Sequence, residues 1–435
     1  MTTAGSADGA GGGPLAGMTT LGAIGDLRSV PPSSSDRTKV NSHVHVPPNF
    51  SAFSAVGDAV AAAAEQGIGV LGVGNYYDFN VYGPLAAHAA SNGIFPLFGT
   101  EVVCLVPELQ RSGERINDPA NPGKMYFCGK GITRFSPMTP AAETLMGTVR
   151  STDSARMAAM IAKLAVLFAA IGVETSLTEE TLKARVAERA GVPPGTVWLQ
   201  ERHVAQAFQE ALSSSVPAGD LPSRLCSLLG TASSPQLDAA SVQDAIRSHL
   251  MKTGKPAYVE EHFISFEQAY QLVLALGGVP CYPVLADGAK PVCEFEASIS
   301  HLVEWFQQKS IHCAEVIPRR NAADVLEAYV QALRSAGIMV LAGTEHNTPE
   351  MIPMEPACVG GVPIPAHLQE IFWEGACVAA AHQFATAKGA DGYVRPDGAL
   401  GNGELTREEH IAAFARLGAG VIGKYATTHG SQRDK

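Results

Sequence analysis

From Lys39 onward, short apolar runs take turns with stretches of helical periodicity. KVNSHVHV (39–46) alternates as a strand does, SAVGDAVAAAAEQG (54–67) repeats with helical spacing, and IGVLGVG (68–74) is a continuous apolar run of the kind buried parallel strands show. A helix near Pro84 to Ser91 and the run IFPLFGTEVVCLV (94–106) continue the rhythm. It resumes with a helix over 265–278 capped by Ser265, VPCYPVLA (279–286), a helix near 295–309, HCAEVIP (312–318), a helix from Ala322 to Ala336, and GIMVLAGTE (337–345). Five or six strand–helix units in series predict an α/β protein with a parallel sheet.

Residues 107–260 break that rhythm with helical segments such as LTEETLKARVAERAG, where Thr178 suits an N-cap and the acidic pair a first helical turn. This stretch is expected to be a mainly helical insertion on one face of a sheet or barrel, whose own parts are 38–106 and 261–395. Residues 396–435 read as a C-terminal helix and tail. Residues 1–37, dominated by Gly, Ser, Ala and Pro, have little to bury and are expected to be a flexible leader.

Apolar residues make up 46% of the 435 and charged ones 17%, enough for a sizeable core and too little charge for a disordered chain. The net charge of −11 argues against nucleic acid or an anionic membrane as the main partner and favours a small molecule. Eight cysteines without C-x-x-C spacing read as reduced thiols. The N-terminus lacks the basic and apolar regions of a signal peptide, and no run of about 18 apolar residues occurs, so a cytoplasmic location is expected. The oligomeric state is not legible.

In parallel α/β folds chemistry gathers at the carboxyl ends of the strands. There the first strand carries His43 and His45, whose H-x-H spacing puts both imidazoles on one side. The third carries Glu101 in an apolar run, where a lone carboxylate needs a cation or strong donors. The last presents Glu345, His346 and Asn347 together. Histidines and carboxylates at three strand ends point to a divalent metal site, the other reading being a hydrogen-bonded polar plug. Arg319 and Arg320 follow a strand and open a helix, where an anion could be held. No P-loop, G-x-S-x-G elbow or post-strand G-x-G-x-x-G occurs, so nucleotide-binding and serine-hydrolase readings lack support.

These motifs resemble the PHP (polymerase and histidinol phosphatase) metal-dependent phosphoesterases. NSHVH is similar to the family's opening H-x-H, GTE to its G-x-E, and GTEHN to its closing G-S-D-x-H, over about 39–104 and 277–350. The resemblance implies a distorted parallel (β/α)7-type barrel with up to three metals, typically zinc, manganese or iron, at its carboxyl face. The chain departs from the pattern: Asn75-Tyr76 stands for an Asp-His pair, Tyr126 for a histidine, and Cys281-Tyr282-Pro283 for A-H-P. Phenols ligate poorly near neutral pH. One ion, surrounded by His43, His45, Glu101 and Glu345 with His346 or Asn347 adjacent, is therefore expected. Tyr126 and Tyr282 would instead donate hydrogen bonds to an oxygen-rich substrate. His203, in LQERHVAQAF, resembles an H-x-A-x-A-L stretch whose histidine faces the site in some members.

The resulting expectation is a metal-dependent hydrolase of phosphoesterase type acting on a small anionic substrate, with His203, Arg319, Arg320, Tyr126 and Tyr282 in catalytic or binding roles. The alternatives are a non-catalytic ligand- or partner-binding module and a metal-dependent sugar-acid lyase or isomerase.

Overall fold

The computed structural model describes residues 13–28, 37–401 and 404–430. Its strands are β1 (Lys39–Val44), β2 (Ile68–Val73), β3 (Phe95–Leu105), β4 (Lys124–Lys130), β5 (Ile264–Ser265), β6 (Val279–Val284), β7 (Cys313–Val316) and β8 (Met339–Ala342). Seven of them lie side by side in the order β1-β2-β3-β4-β6-β7-β8, while the two-residue β5 pairs with β3. Pairing is parallel within β1–β2–β3 and within β6–β7–β8. The segment after β8 returns to β1, where Val44 bridges Glu345, the His45 N–H donates to the Glu345 carbonyl at 2.7 Å, and the Glu345 N–H donates to the His43 carbonyl at 2.8 Å. Gly343 permits that approach, since a Cβ there would lie 2.4 Å from His43 Cβ. The result is a nearly closed α/β barrel.

β4 corrects two expectations. It belongs to the barrel sheet although it falls inside the stretch 107–260 expected to be insertion, and it runs antiparallel to both neighbours, β3 and β6. Its sequence, KMYFCGK, has lysines at both ends. Both are buried against carboxylates, Lys124 against Glu261 at 2.8 Å and Lys130 against Glu315 at 2.6 Å, which supplies the compensation that burial of charge demands.

The expected helices follow their strands at Val56–Glu65, Tyr82–Ser91, Phe266–Ala275, Ile299–Gln308 and Ala323–Ser335. Ser265 caps the third, accepting from the Gln268 N–H at 3.2 Å. Helices Ala366–Ala387 and Arg407–Gly430 pack on each other, and the first also packs on β8. Of the expected leader, residues 1–12 and 29–36 lie outside the described residues. Residues 13–28 are not a free tail: short helices at Ala16–Thr19 and Ile24–Arg28 bury Met18, Leu21 and Leu27 in the barrel core. Their few apolar side chains, diluted by Gly and Ser in the composition, find a surface only once the C-terminal helices are in place.

A second apolar core, including Ile161, Leu164, Phe168, Val204, Phe208 and Ile246, lies among helices Pro140–Ala170, Glu179–Ala190, Glu201–Ser215, Leu221–Leu229 and Ala239–Ile246. Thr178 caps the second of these, accepting from the Thr181 N–H at 3.1 Å. The long helix Pro140–Ala170 serves both cores: Ala142, Met146 and Val149 join the barrel, and Met157 onward joins the helices. Asp153 and Arg156, between the two, face a cavity enclosed by barrel and helices. All eight cysteines are unpaired. Among the described residues no helix is long and apolar enough to cross a membrane.

Candidate metal centre

Alternation along β1 carries His43 and His45 to the same side, and their Nε2 atoms stand 3.3 Å apart. From β3, Glu101 brings Oε2 to 3.3 Å from His43 Nε2 and 3.5 Å from His45 Nε2. All three side chains are buried. Ligand atoms about 2.0 to 2.1 Å from a tetrahedral ion are separated by about 3.3 to 3.4 Å, so this triangle already has the dimensions of one face of such a coordination shell. Gly74 keeps the space beside it clear: a Cβ there would lie 2.8 Å from His43 Nε2.

The groups behind the triangle fix its members. His43 Nδ1 donates to Glu315 Oε2 at 2.6 Å, which turns Nε2 toward the cluster. Tyr76 donates to Glu101 Oε1, freeing Oε2 for the imidazoles, and its ring stacks on His45 with centroids 5.3 Å apart. His45 Nδ1 is buried with no hydrogen-bond partner among the described residues.

Burial pushes the Glu101 carboxyl up, yet the hydrogen bonds from His43 and His45 prevail and hold it well below the usual range. Burial and the Lys130 ammonium pull His43 down, and Glu315, Cys128 and Glu101 outweigh them, so His43 holds its proton more tightly than usual. A metal ion would compete with that proton. His43, Cys128 and Glu315 also converge as a second possible ligand group. That place is taken by the wholly buried Lys130, whose Nζ lies 2.6 and 2.7 Å from the two Glu315 oxygens. Burial raises the Glu315 carboxyl, but Lys130 and then His43 bring it down to about 2. Glu315 is thus an anion with a cation already fixed beside it.

Several sequence expectations need correction. The Glu345 carboxylate is not in the triangle: it lines the cavity and pairs with Arg320, also accepting from Asn347 Nδ2 at 2.8 Å. Its backbone closure onto β1 and its left-handed φ of 64° set that direction. His346 is directed elsewhere, with Nδ1 accepting from the Thr344 hydroxyl at 2.7 Å, Nε2 donating to the Ile352 carbonyl at 3.0 Å, and the ring stacked on Phe53. Tyr282 faces the helical layer because β6 alternates. Pro283 takes the cavity side, and the Tyr282 hydroxyl donates to Glu296 at 2.8 Å beside the rings of Trp305 and Phe306.

His203 sits in the first turn of its helix, where Nδ1 accepts from the Gln200 N–H at 3.0 Å. Burial lowers it to about 3, leaving a neutral capping group outside the cavity wall. Arg319 is exposed and pairs with Glu350 at 3.4 Å, whereas Arg320 lines the cavity. Tyr126 lines it too. The Lys124 ammonium pulls its phenol down, and burial with the nearby Asp118, Glu101 and Glu201 overcomes this and pushes it up to about 12.

The cavity, about 480 Å³, joins the triangle to a helical wall that sequence reasoning missed. Asp153, Arg156, Glu201, Arg202, Arg247 and Lys252 belong to that wall. The signals were present but weak: Asp153 and Arg156 are three apart on one helix, and Glu201-Arg202 directly precede the histidine that drew attention. Burial raises Asp153 to about 6 against the opposing pull of Arg156.

The nearly closed α/β barrel has counterparts among solved structures. Among solved structures, an amidohydrolase from Chromobacterium violaceum, with bound sulfate and no metal, matches with a TM-score of 0.51 at 17% identity, over 77% of this chain and 95% of that one. A Bifidobacterium adolescentis protein described as a metal-dependent phosphoesterase matches with a TM-score of 0.51 at 13% identity, over 78% of this chain and 96% of that one. No family model and no curated protein matches the sequence.

Proposed function

We propose that the chain is a phosphoesterase of the PHP kind that uses one divalent ion, zinc, manganese or iron, to hydrolyse a small anionic substrate. The observation that carries this reading is the 3.3 to 3.5 Å triangle of His43 Nε2, His45 Nε2 and Glu101 Oε2, spaced for an ion and open to a cavity. The two fold neighbours, one described as a metal-dependent phosphoesterase and one binding sulfate, support the reaction class and the anionic substrate. Three protein donors is also the number that catalytic zinc sites use. Lys130, standing beside Glu315, favours one ion over several.

When bound, the ion supplies an acidified water and polarises a phosphoryl oxygen. The protein does the rest. Glu315 keeps His43 Nε2 facing the triangle, and Tyr76 keeps Glu101 Oε2 facing it. Arg320, tethered by Glu345, orients the anion at the cavity wall. Asp153, raised to about 6, lines the same cavity and takes up or gives up a proton near neutral pH more readily than an ordinary carboxyl.

The test is elemental analysis of protein purified without chelators, followed by a panel of phosphate monoesters with each divalent ion. About one ion per chain and ion-dependent release of phosphate are expected, with both lost in His45→Ala. Less than about 0.2 ion per chain would favour the binding-module reading.

A further inference from the structure

Among the described residues, six Lys and Arg side chains line the cavity: Lys124, Arg156, Arg202, Arg247, Lys252 and Arg320. Four are matched by carboxylates that line it as well. Lys124 meets Glu261 at 2.8 Å, Arg156 meets Glu201 and Glu261, Lys252 meets Glu201 at 2.6 Å, and Arg320 meets Glu345. Arg202 and Arg247 differ. Among the described residues their ion-pair partner is Asp244 for both, at 3.7 and 3.3 Å, and that side chain lies outside the cavity wall and is 69% exposed. An ion pair so exposed neutralises little.

Three further observations bear on this pair. Arg247 Nε is buried without a hydrogen-bond partner among the described residues, a state that costs free energy until an acceptor arrives. Burial, followed by the neighbouring Arg247 charge, lowers the Arg202 guanidinium from its usual range, while Asp244, Glu345 and the Tyr126 phenol oppose this. Gln243 donates to Gln209 at 3.1 Å, holding helices Ala239–Ile246 and Glu201–Ser215 together, so the two arginines approach each other on a braced surface. Guanidinium forks match the oxygens of phosphate and carboxylate, and two forks sharing one weak partner leave donors to spare.

We propose that Arg202 and Arg247 form an oxyanion subsite that holds a second anionic group of the substrate, phosphate or carboxylate, while the His43–His45–Glu101 cluster takes the reacting group. This rests on the phosphoesterase reading and sharpens its substrate class to small phosphate esters that carry another anion.

Titration calorimetry on the full-length His45→Ala chain, with inorganic phosphate and with succinate as probes, tests the subsite apart from the metal. One probe is expected to bind, which identifies the preferred anion. Added Arg247→Met is expected to weaken that binding about tenfold or more, and Arg247→Lys to restore part of it. Binding of neither probe at about 10 mM, or binding indifferent to Arg247→Met, would overturn the subsite. Thermal melts of each variant guard against misfolding.

In the metal-loaded enzyme, Arg202→Met is expected to raise KM roughly tenfold for an ester with a second anion while leaving kcat and the KM of a simple alkyl phosphate within about twofold. Equal effects on both esters would also overturn the proposal. Arginine-dependent anion binding without turnover of any phosphate ester would leave the subsite standing and remove the phosphoesterase reading instead.

Discussion

On the barrel side of the cavity the carboxylates are held by partners that have no freedom to leave. Glu315 is gripped by Lys130 and His43 with no exposure to solvent, and Glu101 is gripped by Tyr76 and two imidazoles. On the helical side the same residue types form a looser chain. Glu201 is shared between Arg156 and Lys252, the latter 40% exposed, and Arg202 and Arg247 share an exposed aspartate. Charge near the surface is screened and moves with long side chains, whereas charge inside the sheet is fixed by packing. The barrel wall therefore presets a geometry that an ion needs, and the helical wall offers charges that a substrate can rearrange.

Breaking one partner on each side tests that contrast most severely. Lys130→Met should cost about 3 to 5 kcal/mol in urea unfolding at pH 7, because Glu315 is left as an uncompensated buried anion. The double change with Glu315→Leu should recover much of it. Lys252→Met on the helical side should cost less than about 1 kcal/mol. Equal losses would mean the two walls are equally rigid.

Next in size is the split between tyrosines. Tyr76→Phe frees Glu101 to turn and should weaken metal affinity about 10- to 100-fold in competition with a chromophoric chelator. Tyr282→Phe, which touches Glu296 on the far face of β6, should leave metal affinity unchanged and cost about 1 to 3 kcal/mol of stability. Metal loss in the second variant would return Tyr282 to the site.

Asp153 gives a smaller effect with a defined sign. Its folded pKa of about 6 exceeds the unfolded value of about 3.9, so the native state binds the proton more tightly and loses stability as pH rises from about 4 to 6. Asp153→Asn should therefore match the wild type below about pH 4 and exceed it by up to about 3 kcal/mol above pH 6. A gain that shrinks toward high pH would show the aspartate to be ionised and paired. The smallest effect is expected of the exposed Arg319: Arg319→Ala should stay within about 0.5 kcal/mol and leave KM unchanged.

The chain's own pattern was enough to define the parallel strands of the barrel and the helices that follow them, the N-caps at Thr178 and Ser265, and the meeting of His43 with His45, because each depends on spacing within a few residues. Glu101 was legible for a related reason, as a carboxylate in an apolar run that had to find partners. Tertiary structure alone decided which faces those elements present and what else arrives there. β4 lies outside the strand–helix rhythm because it runs antiparallel to its neighbours, and its terminal lysines are compensated by carboxylates distant in sequence. Tyr282 and His203 pointed elsewhere because the register of a strand and the rotation of a helix are set by packing partners, which local periodicity does not specify. The helical wall, with Asp153, Arg202 and Arg247, exists only because the long helix Pro140–Ala170 joins two cores and so carries a polar stretch across the mouth of the barrel.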